Sequence, residues 1–188
     1  MSKKLNSISD IRTGYNFRSI TNVKLQTVFL VSAKDLNTDF ADVDEIYIPD
    51  SYGGYLQEGD ILVKSRGASY EAKVFTPLHN DYPYIAASTL IIVRLRDNTY
   101  KPSYIAQIIN SDGAQQFLRS LSFGQTVPIL SPSSLGSLMC PKVSIEKQDQ
   151  LEIVTETLGE YRIVLSRYVE AQEKLSKALQ NEIMKGVK

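Results

Sequence analysis

The sequence predicts an α+β chain: a β-rich domain with small helices over residues 1–145, then one long coiled-coil-forming helix over residues 146–188. Three observations lead there. Short β-branched runs, bounded by turn residues, crowd residues 20–100. Apolar residues switch to helical spacing after Pro102. From Leu151 onward, large or apolar residues recur in alternating steps of three and four.

The elements follow in order. Val28-Phe29-Leu30-Val31 is a short apolar strand, and Glu45-Ile46-Tyr47-Ile48 alternates until Pro49. Glu58-Gly59-Asp60 is a turn feeding Ile61-Leu62-Val63, and strands are expected again at Ala72–Phe75 and Ser88–Leu95. Pro102 suits a first helical position, with Tyr104, Ile105, Ile108 and Ile109 on one face. Asp112 is the expected cap of a second helix carrying Ala114, Phe117, Leu118 and Leu121. Residues 122–144, rich in Ser, Gly and Pro, read as loop with short extended pieces. The last helix carries a seam of Leu151, Val154, Leu158, Tyr161, Leu165, Tyr168, Gln172, Leu175 and Leu179, flanked by charged and polar residues. At about 1.5 Å per residue it spans about 60 Å, longer than a domain of this size is wide, so the seam is expected to need a partner.

Composition narrows the function classes. With 43% hydrophobic and 22% charged residues the chain can bury a core, and its net charge of zero excludes a histone-like polycation. That zero hides a pattern: residues 41–60 hold six acids and no base, between two zones that are each net +3. No apolar run is long enough to span a membrane, and the lysines near the start precede no apolar segment, so a cytoplasmic protein is expected. One cysteine, Cys140, excludes a disulfide within the chain and multi-thiolate zinc sites; one histidine, His79, excludes paired-histidine zinc motifs. Cys140 is expected to be a small buried residue and His79 a surface-loop residue. No phosphate-cradling or dinucleotide-type glycine loop exists, so no cofactor is expected.

One catalytic pattern is present. Asp50, after Pro49, with Glu71 and Lys73 fits the loose arrangement of Mg²⁺-dependent nucleases, where two carboxylates hold the metal and a lysine steadies the attacking hydroxide. The pattern is short and carries little information. Three loops point elsewhere. Arg12 to Arg18 contains Tyr15 and Asn16; Lys64 to Tyr70 contains Arg66; Ser122 to Thr126 contains Gln125. Each joins cationic, amide or hydroxyl groups to a glycine, the chemistry that reads base edges and phosphates. The expected nucleic-acid contacts are Arg12, Tyr15, Asn16, Arg18, Lys64, Arg66, Tyr70, Lys73 and Gln125. A plain coiled-coil scaffold is the remaining reading of the last helix.

The order of the pieces resembles the DNA-specificity (S) subunits of type I restriction–modification systems. Ile8-Ser9-Asp10-Ile11-Arg12-Thr13-Gly14 is similar to the opening of a target recognition domain, and Val31-Ser32-Ala33-Lys34-Asp35-Leu36 to its strand ending in Asp-Leu. Glu58-Gly59-Asp60-Ile61-Leu62-Val63 resembles the recurring Gly-Asp-Ile-Leu turn. Pro102-Ser103-Tyr104-Ile105-Ala106, Asn110-Ser111 and Gly124 resemble the helical stretch that follows. Cys140-Pro141 to Leu151 is similar to the entry into the spacer helix, with Cys140 and Lys142-Val143 where the family pattern has prolines.

Family members typically carry two recognition domains and two spacer helices, so this chain resembles a half-subunit. The resemblance implies a target recognition domain at 1–145 and a spacer and dimerisation helix at 146–188. It implies no catalysis by the chain itself, but sequence-specific double-stranded DNA binding beside a methyltransferase subunit that uses S-adenosylmethionine and a restriction subunit that translocates. With the seam above, the expected assembly is a homodimer, antiparallel by family analogy, reading a split palindromic target. The alternative is a stand-alone Mg²⁺ nuclease using Asp50, Glu71 and Lys73.

Overall fold

The computed structural model describes residues 2–16, 24–38, 40–124 and 127–185. In chain order the elements are β1 (Ser2–Lys4), α1 (Leu5–Ile8), β2 (Ser9–Thr13), β3 (Leu25–Val31), β4 (Asp44–Pro49), β5 (Ile61–Lys64), β6 (Ala72–Val74), β7 (Tyr84–Ala86), β8 (Leu90–Leu95), α2 (Pro102–Asn110), α3 (Asp112–Leu121), α4 (Pro132–Gly136), β9 (Met139–Pro141) and α5 (Ile145–Lys185). They fall into two compact units, Met1–Ile145 and Glu146–Lys188. The chain is α+β, and among the described residues no helix is long and apolar enough to cross a membrane.

The apolar run of β8 does not alternate because both of its faces are covered. It sits inside an antiparallel sheet ordered β2-β8-β5-β6. On one face Ile61, Val63, Ala72, Ile91 and Val93 meet Tyr104, Ile105 and Ile109 of α2 and Ala114 and Leu118 of α3. On the other, Leu62, Leu90 and Ile92 meet Phe29, Val31, Phe75 and Tyr84, with Leu36 and Phe40 from the connection after β3. A second sheet, ordered β4-β3-β7, supplies Phe29, Val31 and Tyr84 of that layer; its β3–β7 pair is parallel. A two-stranded pair, β1 with β9, ties the N-terminal segment to residues 139–141. Cys140 lies buried there, as its apolar surroundings require, and desolvation pushes its thiol up to about 11. The Tyr104 hydroxyl donates to the Pro141 carbonyl at 2.9 Å, so the tyrosine of the Pro-x-Tyr segment pins β9 to α2.

The free edge of β6 is closed by side chains. The Asn110 amide accepts from Ala72 N–H and donates to Ala72 C=O, both at 2.8 Å. Gln115 accepts from Tyr70 N–H at 2.9 Å and donates to Tyr70 C=O at 3.0 Å. Two amides therefore take the place of a further strand, satisfying backbone groups that would otherwise invite pairing with another chain. Gln115→Ala is expected to destabilise the domain by about 1–3 kcal/mol for each Tyr70 backbone group left unsatisfied. Asn110→Ala should cost less, because Asn110 is solvent-exposed and water can replace it. Urea unfolding of the two variants measures the difference; equal losses would show that burial does not control it.

Two local expectations change. Asp112 is not the cap of α3 but its first residue; Ser111 caps it, its hydroxyl accepting from Ala114 N–H at 3.4 Å. The stretch 122–144 is not only loop: Ser131 caps α4 by accepting from Ser134 N–H at 3.0 Å, with Pro132 at the first helical position. In the second unit, Leu151, Val154, Leu158, Tyr161, Leu165, Tyr168, Leu175 and Leu179 of α5 are all exposed. Gln172 of the same stripe donates its amide to the Tyr168 hydroxyl at 3.0 Å.

Candidate nucleic-acid interface

One end of the four-stranded sheet gathers segments that lie far apart in sequence. It is formed where β2 and β5 end and β8 begins, around the turn Ala87–Leu90. Gly14 N–H donates to Leu90 C=O at 2.9 Å and Tyr15 N–H to Ala86 C=O at 2.6 Å. Gly14 is required, since a Cβ there would lie 2.1 Å from the Ala87 carbonyl oxygen. On the other side of the turn, Ser65 N–H and the Ser65 hydroxyl both donate to Thr89 C=O, at 2.9 and 2.8 Å. The next layer is residues 128–130: Leu130 N–H donates to Ser65 C=O at 2.8 Å, and Arg66 pairs with Ile129. Ile129 pairs in turn with Phe123 through N–H···O contacts of 3.1 and 2.7 Å. Gly124 allows the reversal between them with a positive φ of 106°.

The described parts of the three polar loops thus meet at one end of the sheet, but their side chains divide. Asn16 and Arg66 are exposed, and no hydrogen bond or ion pair among the described residues engages the Arg66 guanidinium. Tyr15 is half-buried, its ring edge-on to Tyr52 with centroids 4.9 Å apart. Lys64 is held by Glu71 at 2.6 Å, which cancels most of its charge locally. Arg18 and Gln125 lie outside the described residues.

Three of the expected contacts need correction. Tyr70 is wholly buried, its hydroxyl within the core, so it cannot reach a groove. Arg12 turns inward and donates to the Gly54 and Tyr55 carbonyls at 3.1 and 3.2 Å, fastening the segment before β5 to the sheet. Lys73 donates to Leu36 C=O at 2.9 Å and lies over the Phe40 ring, fastening the segment after β3. Both cations clamp connections onto the first sheet.

The nuclease constellation does not assemble. Asp50 follows β4 in the second sheet and is 3.9 Å from Lys24, whereas Glu71 and Lys73 are occupied on the first sheet by Lys64 and Leu36. Among the described residues no three His, Cys, Asp or Glu side chains group as metal ligands would. His79 is exposed in its loop, with its ring 5.6 Å from Phe29.

Phe123, an exposed ring one strand beyond Ile129 from Arg66, is not among the residues expected from sequence. The signal was a bulky apolar residue directly before a glycine in an otherwise polar loop. Also missed was the pair Arg94 and Asp60, joined by two bonds of 2.7 Å, which explains the Gly-Asp turn: Gly59 takes a φ of +86° and Asp60 receives the arginine fork.

No protein-family model and no curated protein matches the chain. Solved structures do. A type I restriction–modification S subunit from M. genitalium aligns over 93% of this chain at 16% identity with a TM-score of 0.56, and 42% of that subunit is covered. The HsdS subunit from Thermoanaerobacter tengcongensis aligns over 92% at 14% identity and 0.59, with 45% of it covered. A chain from a structural study of complex assembly and conformational transition in the type I restriction–modification system aligns over 94% at 14% identity and 0.64, with 43% covered. The chain therefore spans less than half the length of these proteins, and over nearly all of its own length it has the fold of a type I restriction–modification S subunit.

Proposed function

We propose that this chain is a sequence-specific double-stranded DNA recognition subunit, without catalysis of its own, and that it works as a homodimeric half-subunit in a type I restriction–modification complex. The observation that carries the reading is the likeness to less than half of an S subunit, across both a β-rich domain and a long helix. The domain reads DNA through Asn16, Arg66 and their neighbours at the end of the first sheet, with Tyr15 and Lys64 at its margin, and Arg18 and Gln125, outside the described residues, are assigned to the same contact set. The long helix pairs two copies along the seam from Leu151 to Leu179, in antiparallel sense, with Gln172 fixing register. A methyltransferase subunit and a translocating restriction subunit supply the chemistry. A two-fold dimer presents two identical readers, so its target is two short inverted half-sites around an unread spacer.

The test is selection of bound duplexes from a random pool by the full chain, followed by salt titration of the recovered site. An inverted, gapped motif is expected; a continuous or asymmetric motif contradicts the two-fold reading. Arg66→Ala should lose about 1–3 kcal/mol on the recovered site if Arg66 reads a base edge, and less on random DNA. Lys64→Ala should act weakly, since Glu71 already neutralises it. No methylation, ATP hydrolysis or cleavage is expected from the chain alone; Mg²⁺-dependent cleavage lost in Asp50→Ala would overturn the non-enzyme reading.

A further inference from the structure

Phe123 is an apolar ring that the fold holds out in solvent. It is 58% exposed, and Phe117 and Leu121 of α3 and Val127 are exposed as well. Both of its backbone groups are bonded to Ile129, and a Cβ on Gly124 would lie 2.8 Å from the Val127 carbonyl oxygen. Directly opposed residues of antiparallel pairs project to the same side, so the pairings of Ile129 with Phe123 and with Arg66 place all three on one face. Two strand spacings separate Phe123 from Arg66, about 10 Å, or roughly three base-pair steps.

We infer that Phe123 is a wedge that enters the DNA minor groove and unstacks one base step, while Arg66 tracks the groove about three steps away. The inference rests on the DNA-recognition reading and adds how part of the target is read. A few apolar side chains are too few for a stable protein interface, which takes about 20–30 residues a side. An exposed aromatic ring that shares a face with an exposed guanidinium matches a polyanion. Proteins that insert apolar side chains between base pairs kink the duplex by about 20–90° toward the major groove. The energy of that kink depends on the step deformed, so the wedge favours a flexible pyrimidine–purine step without any hydrogen bond to it.

The experiment uses the full chain and a duplex recovered from a random pool, with 2-aminopurine placed in turn at each step. Wild type is expected to raise the fluorescence at one step per half-site and to bend the duplex, read by energy transfer between end labels. Phe123→Ala should abolish both signals, weaken binding about tenfold and leave the salt slope unchanged; Phe123→Trp should keep them. Arg66→Ala should lower the salt slope by about one instead if its guanidinium rests on phosphate. Thermal unfolding checks that the variants fold. Tight binding of unbent, fully stacked DNA by wild type overturns the wedge alone, as does an unchanged signal in Phe123→Ala. Phe123→Ala that changes the oligomeric state while bending persists assigns the patch to a second copy and also overturns it. Failure of wild type to bind any duplex is a different result, and overturns the DNA-recognition reading together with the wedge.

Discussion

Asp60→Ala is expected to destabilise the domain of Met1–Ile145 by about 3 kcal/mol or more, the low end of the range for breaking a buried ion pair. The Asp60 side chain is 1% exposed and that of Arg94 32%. Both carboxylate oxygens accept from the guanidinium at 2.7 Å, and one also accepts Gln57 N–H at 2.9 Å. The substitution leaves a half-buried guanidinium without its counter-charge. It also frees a connection that depends on arginines: Arg94 donates to the Tyr55 carbonyl at 3.0 Å, beside the two bonds from Arg12. A loss of this size is a large fraction of the 5–15 kcal/mol typical of a whole domain. Replacing both partners, as in Asp60→Ala with Arg94→Met, should recover much of it, because no unpaired charge remains. Urea unfolding of the two single variants and the double variant gives the coupling directly. A single-variant loss below about 1 kcal/mol would show that water reaches the guanidinium and that the fork does not hold the connection.

That pair illustrates how residue type was legible while partners were not. The strands β3, β4, β5 and β8 announce themselves by β-branched runs ended at Pro49 or begun after the Gly59 turn. Of the three-residue strands, β6 is legible as Ala72–Phe75, but β1, β7 and β9 are not, because tertiary pairing decides such short segments. Arg12, Lys73 and Tyr70 carry chemistry suited to DNA, yet Tyr70 is buried and the two half-buried cations donate to backbone carbonyls of the fold. For Tyr70 a signal existed: Tyr70, Ala72 and Val74 alternate with Glu71 and Lys73, and the first three all face the helices. For Arg12 no such signal exists, since its acceptors are backbone carbonyls of Gly54 and Tyr55, which a sequence does not mark. The meeting of the three polar loops around Ala87–Leu90 follows from strand order, which sequence periodicity does not contain.

The largest functional effect is expected at the long helix. Leu158 and Leu165 are one heptad apart on the seam and 54% and 60% exposed, so Leu158→Glu with Leu165→Glu alters no packing within the domain of Met1–Ile145. In a two-fold pair the double variant places four carboxylates in a seam that otherwise buries leucine, each leucine contributing about 1.5–3 kcal/mol through apolar burial. Sedimentation should show a monomer in place of a dimer, with the domain's thermal unfolding unchanged. The monomer holds one reader instead of two. Its loss of affinity is then the loss of the second, intramolecular binding event, about 10²–10⁴-fold, with base preference within one half-site preserved. Spacer length separates this from a general weakening. Inserting one base pair turns one half-site by about 34–36° relative to the other, so it should cripple binding by the wild-type dimer. The monomeric variant, having only one half-site to satisfy, should be indifferent to the same insertion. An unchanged oligomer in the double variant places the self-association elsewhere on the chain. A monomer that keeps full affinity for the gapped site shows that each domain reads its half alone, and the antiparallel pairing would then not set the spacing of the target.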